Sequence, residues 1–218
     1  MMESVMGSEF LLRRVHSITG IVPVGLFLIY HLYLQLYLHS GAEAYNAEVN
    51  SFYDSPLSTI LLVLFVYFPL IFHSVYGVVL SARLADIPEV HAQTQYSYFA
   101  NFLYWMQRLS GVGVFFFIGG HLYFAKIEPF LNDDFGAHYE HLQAGFLNPD
   151  SGWLTLSVYI FGILGAAFHM GNGINTFCMT WGIALTPISQ KMVRAFSIAV
   201  FVFLAFTGYY SITVFWLT

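Results

Sequence analysis

A chain of 218 residues in which 58% are hydrophobic and only 9% charged cannot cover a water-facing globular surface, because soluble domains carry about 25% charged residues. A net charge of -5 with no basic patch speaks against nucleic acid. The one cysteine, Cys178, excludes an internal disulfide, a CxxCH haem attachment and a cysteine-ligated iron–sulfur cluster within the chain.

One membrane domain over residues 1–218 is the expected organisation, all α-helical with five transmembrane helices. A hydrocarbon core about 30 Å thick needs roughly 20 apolar residues. The first such run, about Val15 to Leu38, follows Arg13 and Arg14. It reads as a retained span, too long for a cleavable signal and lacking a small-x-small site. The second runs about Leu57 to Leu84 behind Pro56, the third about Phe102 to Ile127, the fourth about Trp153 to Met179. The fifth runs about Met192 to Leu217, beyond Pro187. The stretch Asp86 to Gln95, with His91, reads as a short connector. Glu128 to Ser151 reads as a polar, turn-rich loop in which His138 and His141, like His39, are solvated. Arg13, Arg14, Arg83, Arg108, Lys191 and Arg194 fall on the N-terminal side of five crossings and only Lys126 opposite. That asymmetry predicts a cytoplasmic N-terminus.

Four of these runs each carry one histidine deep inside: His31, His73, His121 and His169. A buried imidazole without a partner costs a few kcal/mol, and a lone one is commonly a hydrogen-bonded packing residue. Their depths say more. His31 lies 17 residues beyond Arg14 and His121 lies 13 beyond Arg108, so both rise roughly 20–25 Å from the inner face. His73 lies 17 beyond Pro56 and His169 lies 16 beyond Trp153, so both have descended about 24 Å from the outer face. The four sort into two pairs at two depths. Two facing imidazoles are what a six-coordinate b-type haem needs.

Gly20, 11 residues from His31, Gly77, and Gly162, Gly165 and Gly173 near His169 would let a flat ring approach the backbone. Arg14, His16, Ser17, Gln107, Arg108 and Ser110 gather at the inner ends of the first and third helices, where haem propionates need polar partners. His16 sits too near the inner face to ligate with His31. Zinc fits poorly, since no cysteine or carboxylate joins the histidines.

The sequence resembles the cytochrome b558-type membrane anchors of succinate dehydrogenase and fumarate reductase. These are the single-polypeptide, dihaem form of respiratory complex II in the bacterial cytoplasmic membrane. The matching stretches are LLRRVHSITGIVPVGLFLIYHL (Leu11 to Leu32), GAEAYN (Gly41 to Asn46) and FPLIFHSVYG (Phe68 to Gly77). QRLSGVGVFFFIGGHL (Gln107 to Leu122), FHMGNGINTF (Phe168 to Phe177) and WGIALTPISQ (Trp181 to Gln190) extend the match over essentially the whole chain.

The resemblance implies five helices, two haem b groups, and ligation by His73 with His169 near the cytoplasm and by His31 with His121 near the outside. It implies a flavoprotein subunit with FAD and an iron–sulfur subunit on the cytoplasmic face. Electrons would pass from succinate through FAD, the clusters and both haems to a quinone, menaquinone, near the outer side. Asp54 stands where the family has a quinone-linked carboxylate, and it also reads as a helix cap in Asp54-Ser55-Pro56. Some fumarate reductases of the family carry a proton-transferring glutamate where Ala167 stands here, which favours the succinate dehydrogenase direction. Two other readings remain at this point: the dihaem b subunit of another membrane dehydrogenase, of formate dehydrogenase or hydrogenase type, and a transporter with a histidine proton relay.

Overall fold

The computed structural model describes residues 2–83, 98–132 and 136–216, and it is helical throughout, with no strand among the described residues. The connector with His91, the residues Asp133 and Asp134, and the two expected helix ends Leu84 and Leu217 lie outside the described residues. Among the described residues, five helices are long and apolar enough to cross a membrane: Gly7–Ser40, Pro56–Arg83, Asn101–Leu131, Gly152–Thr180 and Pro187–Phe215. They are called the first to fifth spans below.

Local chemistry sets the ends. Ser55 caps the second span, its hydroxyl accepting from Ser58 N–H, with Pro56 in the first turn. The cap is therefore Ser55, and Asp54 instead closes the preceding helix through its own N–H to the Asn50 carbonyl. The fifth span begins at Pro187, five residues before the expected Met192. Thr186 and Ser189 form a reciprocal capping box that satisfies the first N–H groups. Three wide π turns, Gly20–Gly25, Val63–Tyr67 and Tyr123–Ile127, interrupt the first three spans. Pro23 lies inside the first, and Pro69 and Pro129 stand two residues past the other two. A proline lacks an N–H and crowds the carbonyl four residues back, and a widened turn relieves both.

The first four spans form a ring, each packed on its neighbours, with the fourth closing back onto the first. The fifth packs outside this ring along the fourth and the first. Ala167, Leu204 and Ala205 are buried where the fourth and fifth spans meet. Gly171 allows their backbones to close, since a Cβ there would stand 2.8 Å from the Ser197 carbonyl oxygen. The outward faces carry exposed Leu57, Phe116, Phe161 and Phe206, as lipid contact requires.

Two further helices, Ala42–Tyr53 and His138–Phe146, replace the expected loops at one end. Leu38, Tyr45, Val49, Leu142, Phe146, Ile212 and Phe215 bury themselves beneath this cap as its hydrophobic core. Asn46 and Asn50, one turn apart, bind the two cap helices together. Asn46 donates to Glu140 at 2.7 Å and accepts from Tyr139 N–H at 2.8 Å. Asn50 donates to the Gly136 carbonyl at 3.1 Å and faces His138 Nε2 at 3.1 Å. His138 is thus buried, and His141 is 15% exposed with Nε2 2.7 Å from the Phe124 carbonyl oxygen. Neither is solvated, because amphipathic helices rather than turns carry them. His39 is exposed but stacks on Tyr210. Burial pushes the Tyr45 hydroxyl up to about 12, so it stays protonated and donates to Gln35 Oε1 at 3.0 Å. Asn46→Ala or Asn50→Ala, each removing half-buried hydrogen bonds in the cap, is expected to cost about 0.5–1.5 kcal/mol per bond, read as a lower unfolding temperature of the purified protein.

Candidate functional site

A cavity of about 1580 Å³ runs through the four-span ring, from Arg13, Arg14, Arg108 and Arg194 at one end to Tyr53, Lys126 and His138 under the cap at the other. Pockets for ordinary small molecules run about 300–1,000 Å³, so this one has room for more than one large ligand. All four membrane histidines line it.

The structure brings them together in two pairs. The ring centres of His73 and His169 are 6.1 Å apart with planes at 82°. Those of His31 and His121 are 5.7 Å apart at 77°. A metal held between two imidazoles by bonds of about 2 Å sets the ring centres roughly 6 Å apart. Among the described residues no group of three or more His, Cys, Asp or Glu could hold a metal ion. Each pair would offer two nitrogens to a metal that brings its other ligands with it, as the iron of a porphyrin does. On both counts the residues fit haem.

The nitrogens turned to the protein are held. His73 Nδ1 lies 2.8 Å from the His16 carbonyl oxygen. The His16 ring stacks flat on the His73 ring, centres 4.2 Å apart and planes within 3°. His16, expected near a propionate or a quinone, thus supports a ligand-candidate ring. His169 Nδ1 lies 3.1 Å from the Gln107 carbonyl oxygen and 3.3 Å from Ser110 Oγ. The Gln107 side chain donates to the His169 carbonyl at 3.1 Å and accepts from Asn172 at 2.8 Å. His121 Nδ1 lies 3.1 Å from the Tyr159 hydroxyl. In all three, Nε2 is the nitrogen with no protein hydrogen bond among the described residues, which is how metal-bound imidazoles are oriented.

Of the residues expected at the inner ends, Arg14, His16, Ser17, Gln107 and Arg108 line the cavity. Ser110 does not, and with Gln107 it serves His169 instead. Arg14 stacks over Phe10 and Trp181, and Arg108 over Tyr104 at 4.1 Å. Asp54 is exposed and outside the cavity wall, beside Tyr53, which lines it over the Lys126 ammonium at 3.6 Å.

Three of the glycines make room for neighbouring side chains, whereas Gly165 and Gly173 have only ordinary contacts at 3.5 Å, with Val114 and Gln107. A Cβ on Gly20 would overlap the His73 ring, one on Gly77 would stand 3.0 Å from His16 Nε2, and one on Gly162 would overlap the Phe117 ring. Gly20 lies roughly 16 Å below His31 by helical rise, at the level of the other pair. The third span contributes Gly111, which sequence reasoning missed: a Cβ there would stand 2.9 Å from His169 Cε1. Only the pairing of spans reveals that contact.

Four membrane-length helices surround the two histidine pairs and a fifth braces them from outside, an architecture of the membrane-subunit class. Residues 88–208 match the model of the succinate dehydrogenase/fumarate reductase transmembrane subunit family, and the chain belongs to that family. It is 33% identical over 200 residues to the succinate dehydrogenase cytochrome b558 subunit of Bacillus subtilis (strain 168), an alignment covering 92% of this chain and 94% of that relative.

Proposed function

We propose that this chain is the dihaem cytochrome b anchor of a succinate:quinone oxidoreductase. In this reading His73 and His169 hold one haem b near the arginine-bearing end, and His31 and His121 hold a second near the cap. The observation that carries it is the two imidazole pairs at 6.1 and 5.7 Å within one cavity. The name of the Bacillus relative, a cytochrome b558 subunit of succinate dehydrogenase, supports it.

Haem b, when bound, supplies one-electron carriage between partner subunits and a quinone. This chain's residues do the rest. Carbonyls of His16 and Gln107 fix the tautomer and rotation of the His73 and His169 rings. The apolar walls exclude water, which strengthens every electrostatic contact inside. Arg14 and Arg108 present cations to haem carboxylates at the inner end.

The arginine-bearing end faces the cytoplasm and docks the iron–sulfur and flavoprotein subunits, as the inside-positive rule supports. The quinone, menaquinone, binds at the cap end near Asp54, in the direction of succinate oxidation. A reduced-minus-oxidised visible spectrum of the purified complex, with haem counted per chain, is expected to show two b haems. One or none would overturn the reading. Co-purification of the flavoprotein and iron–sulfur partners separates it from another dehydrogenase's b subunit.

A further inference from the structure

The four paired histidines differ in what holds their Nδ1 atoms. In the inner pair, His73 Nδ1 rests on the His16 main-chain carbonyl and His169 Nδ1 on that of Gln107, with the Ser110 hydroxyl beside the latter at 3.3 Å. In the outer pair, His31 makes no hydrogen bond among the described residues, and His121 meets a side chain, the Tyr159 hydroxyl at 3.1 Å. Tyr159 is on the fourth span, ten residues outward of His169. Its ring stands edge-on to Phe117 with centres 5.6 Å apart and leans on Phe146 of the cap at 4.8 Å. It also packs on the buried core beneath the cap. A ring held from these sides cannot swing its hydroxyl away without disturbing the cap.

We propose that Tyr159 is the positioning residue of the outer haem. Its oxygen accepts the Nδ1 proton of His121, which fixes the imidazole tautomer and ring rotation and enriches Nε2. The inference rests on the dihaem reading above. With Nε2 given to iron, Nδ1 must carry the proton of a neutral imidazole, so the direction of this hydrogen bond is set. An imidazole that donates from its far nitrogen is the more basic ligand, and a more basic ligand favours ferric over ferrous iron. Tyr159 therefore holds the outer haem at a lower potential than its two bare imidazoles would give.

The test is a potentiometric titration of the assembled complex carrying Tyr159→Phe, which keeps the ring and removes the oxygen. The outer component is identified as the one lost in His121→Ala. Both haems are expected to remain, with the outer one titrating at a more positive potential and the inner one unmoved. Phe146→Leu disturbs the same packing without touching the hydroxyl, and is expected to leave the outer potential in place. An unshifted outer haem in Tyr159→Phe, an equal shift of both haems, or the same shift in Phe146→Leu would overturn the assignment. Should Tyr159→Phe fail to assemble, 3-fluorotyrosine at position 159 keeps the fold and weakens the oxygen as an acceptor. It is expected to give a smaller positive shift, and no shift overturns the assignment equally. A wild-type complex with fewer than two b haems would overturn the dihaem reading, and this inference with it, before any variant is compared.

Discussion

Alanine at His73 and alanine at His169 are expected to remove the same haem, leaving half of the reducible b-type absorption. The two rings face each other at 6.1 Å from the second and fourth spans, so neither can hold a six-coordinate iron alone. His31→Ala and His121→Ala are expected to remove the other haem. Redox titration separates the outcomes: the component missing from the first two variants is the component remaining in the second two. His169→Ala carries an added penalty, because the Gln107 carbonyl and the Ser110 hydroxyl lose a half-buried partner, about 0.5–1.5 kcal/mol per hydrogen bond. Loss of different components in His73→Ala and His169→Ala would refute the pairing.

Gly20→Ala is expected to empty the same inner site without altering any ligand. The new methyl group overlaps the His73 ring. That ring cannot yield, being stacked on His16 and bonded to the His16 carbonyl oxygen. Overpacking of this kind costs about 1–3 kcal/mol, and here the cost falls on the ligand geometry. Gly111→Ala, 2.9 Å from His169 Cε1, is expected to act in the same direction more weakly. Gly113→Ala, where nothing lies within 4 Å of the new carbon, is the silent control. Haem content and the inner redox component are the measurements. A Gly20→Ala complex with normal inner haem would show that the first span shifts to make room.

The spans and the histidine pairing were legible because both follow from one constant, the 1.5 Å rise of a helix through a slab of known thickness. Levels measured from Arg14, Arg108, Pro56 and Trp153 place the same pairs side by side that the structure brings within 6.1 and 5.7 Å. The cap helices were written in the sequence too. Tyr45, Val49 and Phe52, and again His138, Leu142 and Phe146, recur at helical spacing. Their polar neighbours and nearby turn residues read as loop, and the histidines among them as solvated. What no local pattern carries is which side chain a neighbouring span presents. The stack of His16 on His73, the space Gly111 leaves for His169, and the hydroxyl of Tyr159 against His121 join residues 38 to 58 positions apart. They appear only once the spans are side by side.

The main-chain carbonyls beside His73 and His169 have a genetic consequence. A carbonyl oxygen is present whatever residue supplies it, so no single codon change at position 16 or 107 deletes that acceptor. The carbonyl acceptors of the inner pair are thereby sheltered from point mutation, the Ser110 hydroxyl beside His169 excepted, while the acceptor at His121 is one side chain that a single base change can replace. Drift and selection can retune the two ends of this bundle at unequal rates, with the adjustable end beneath the cap.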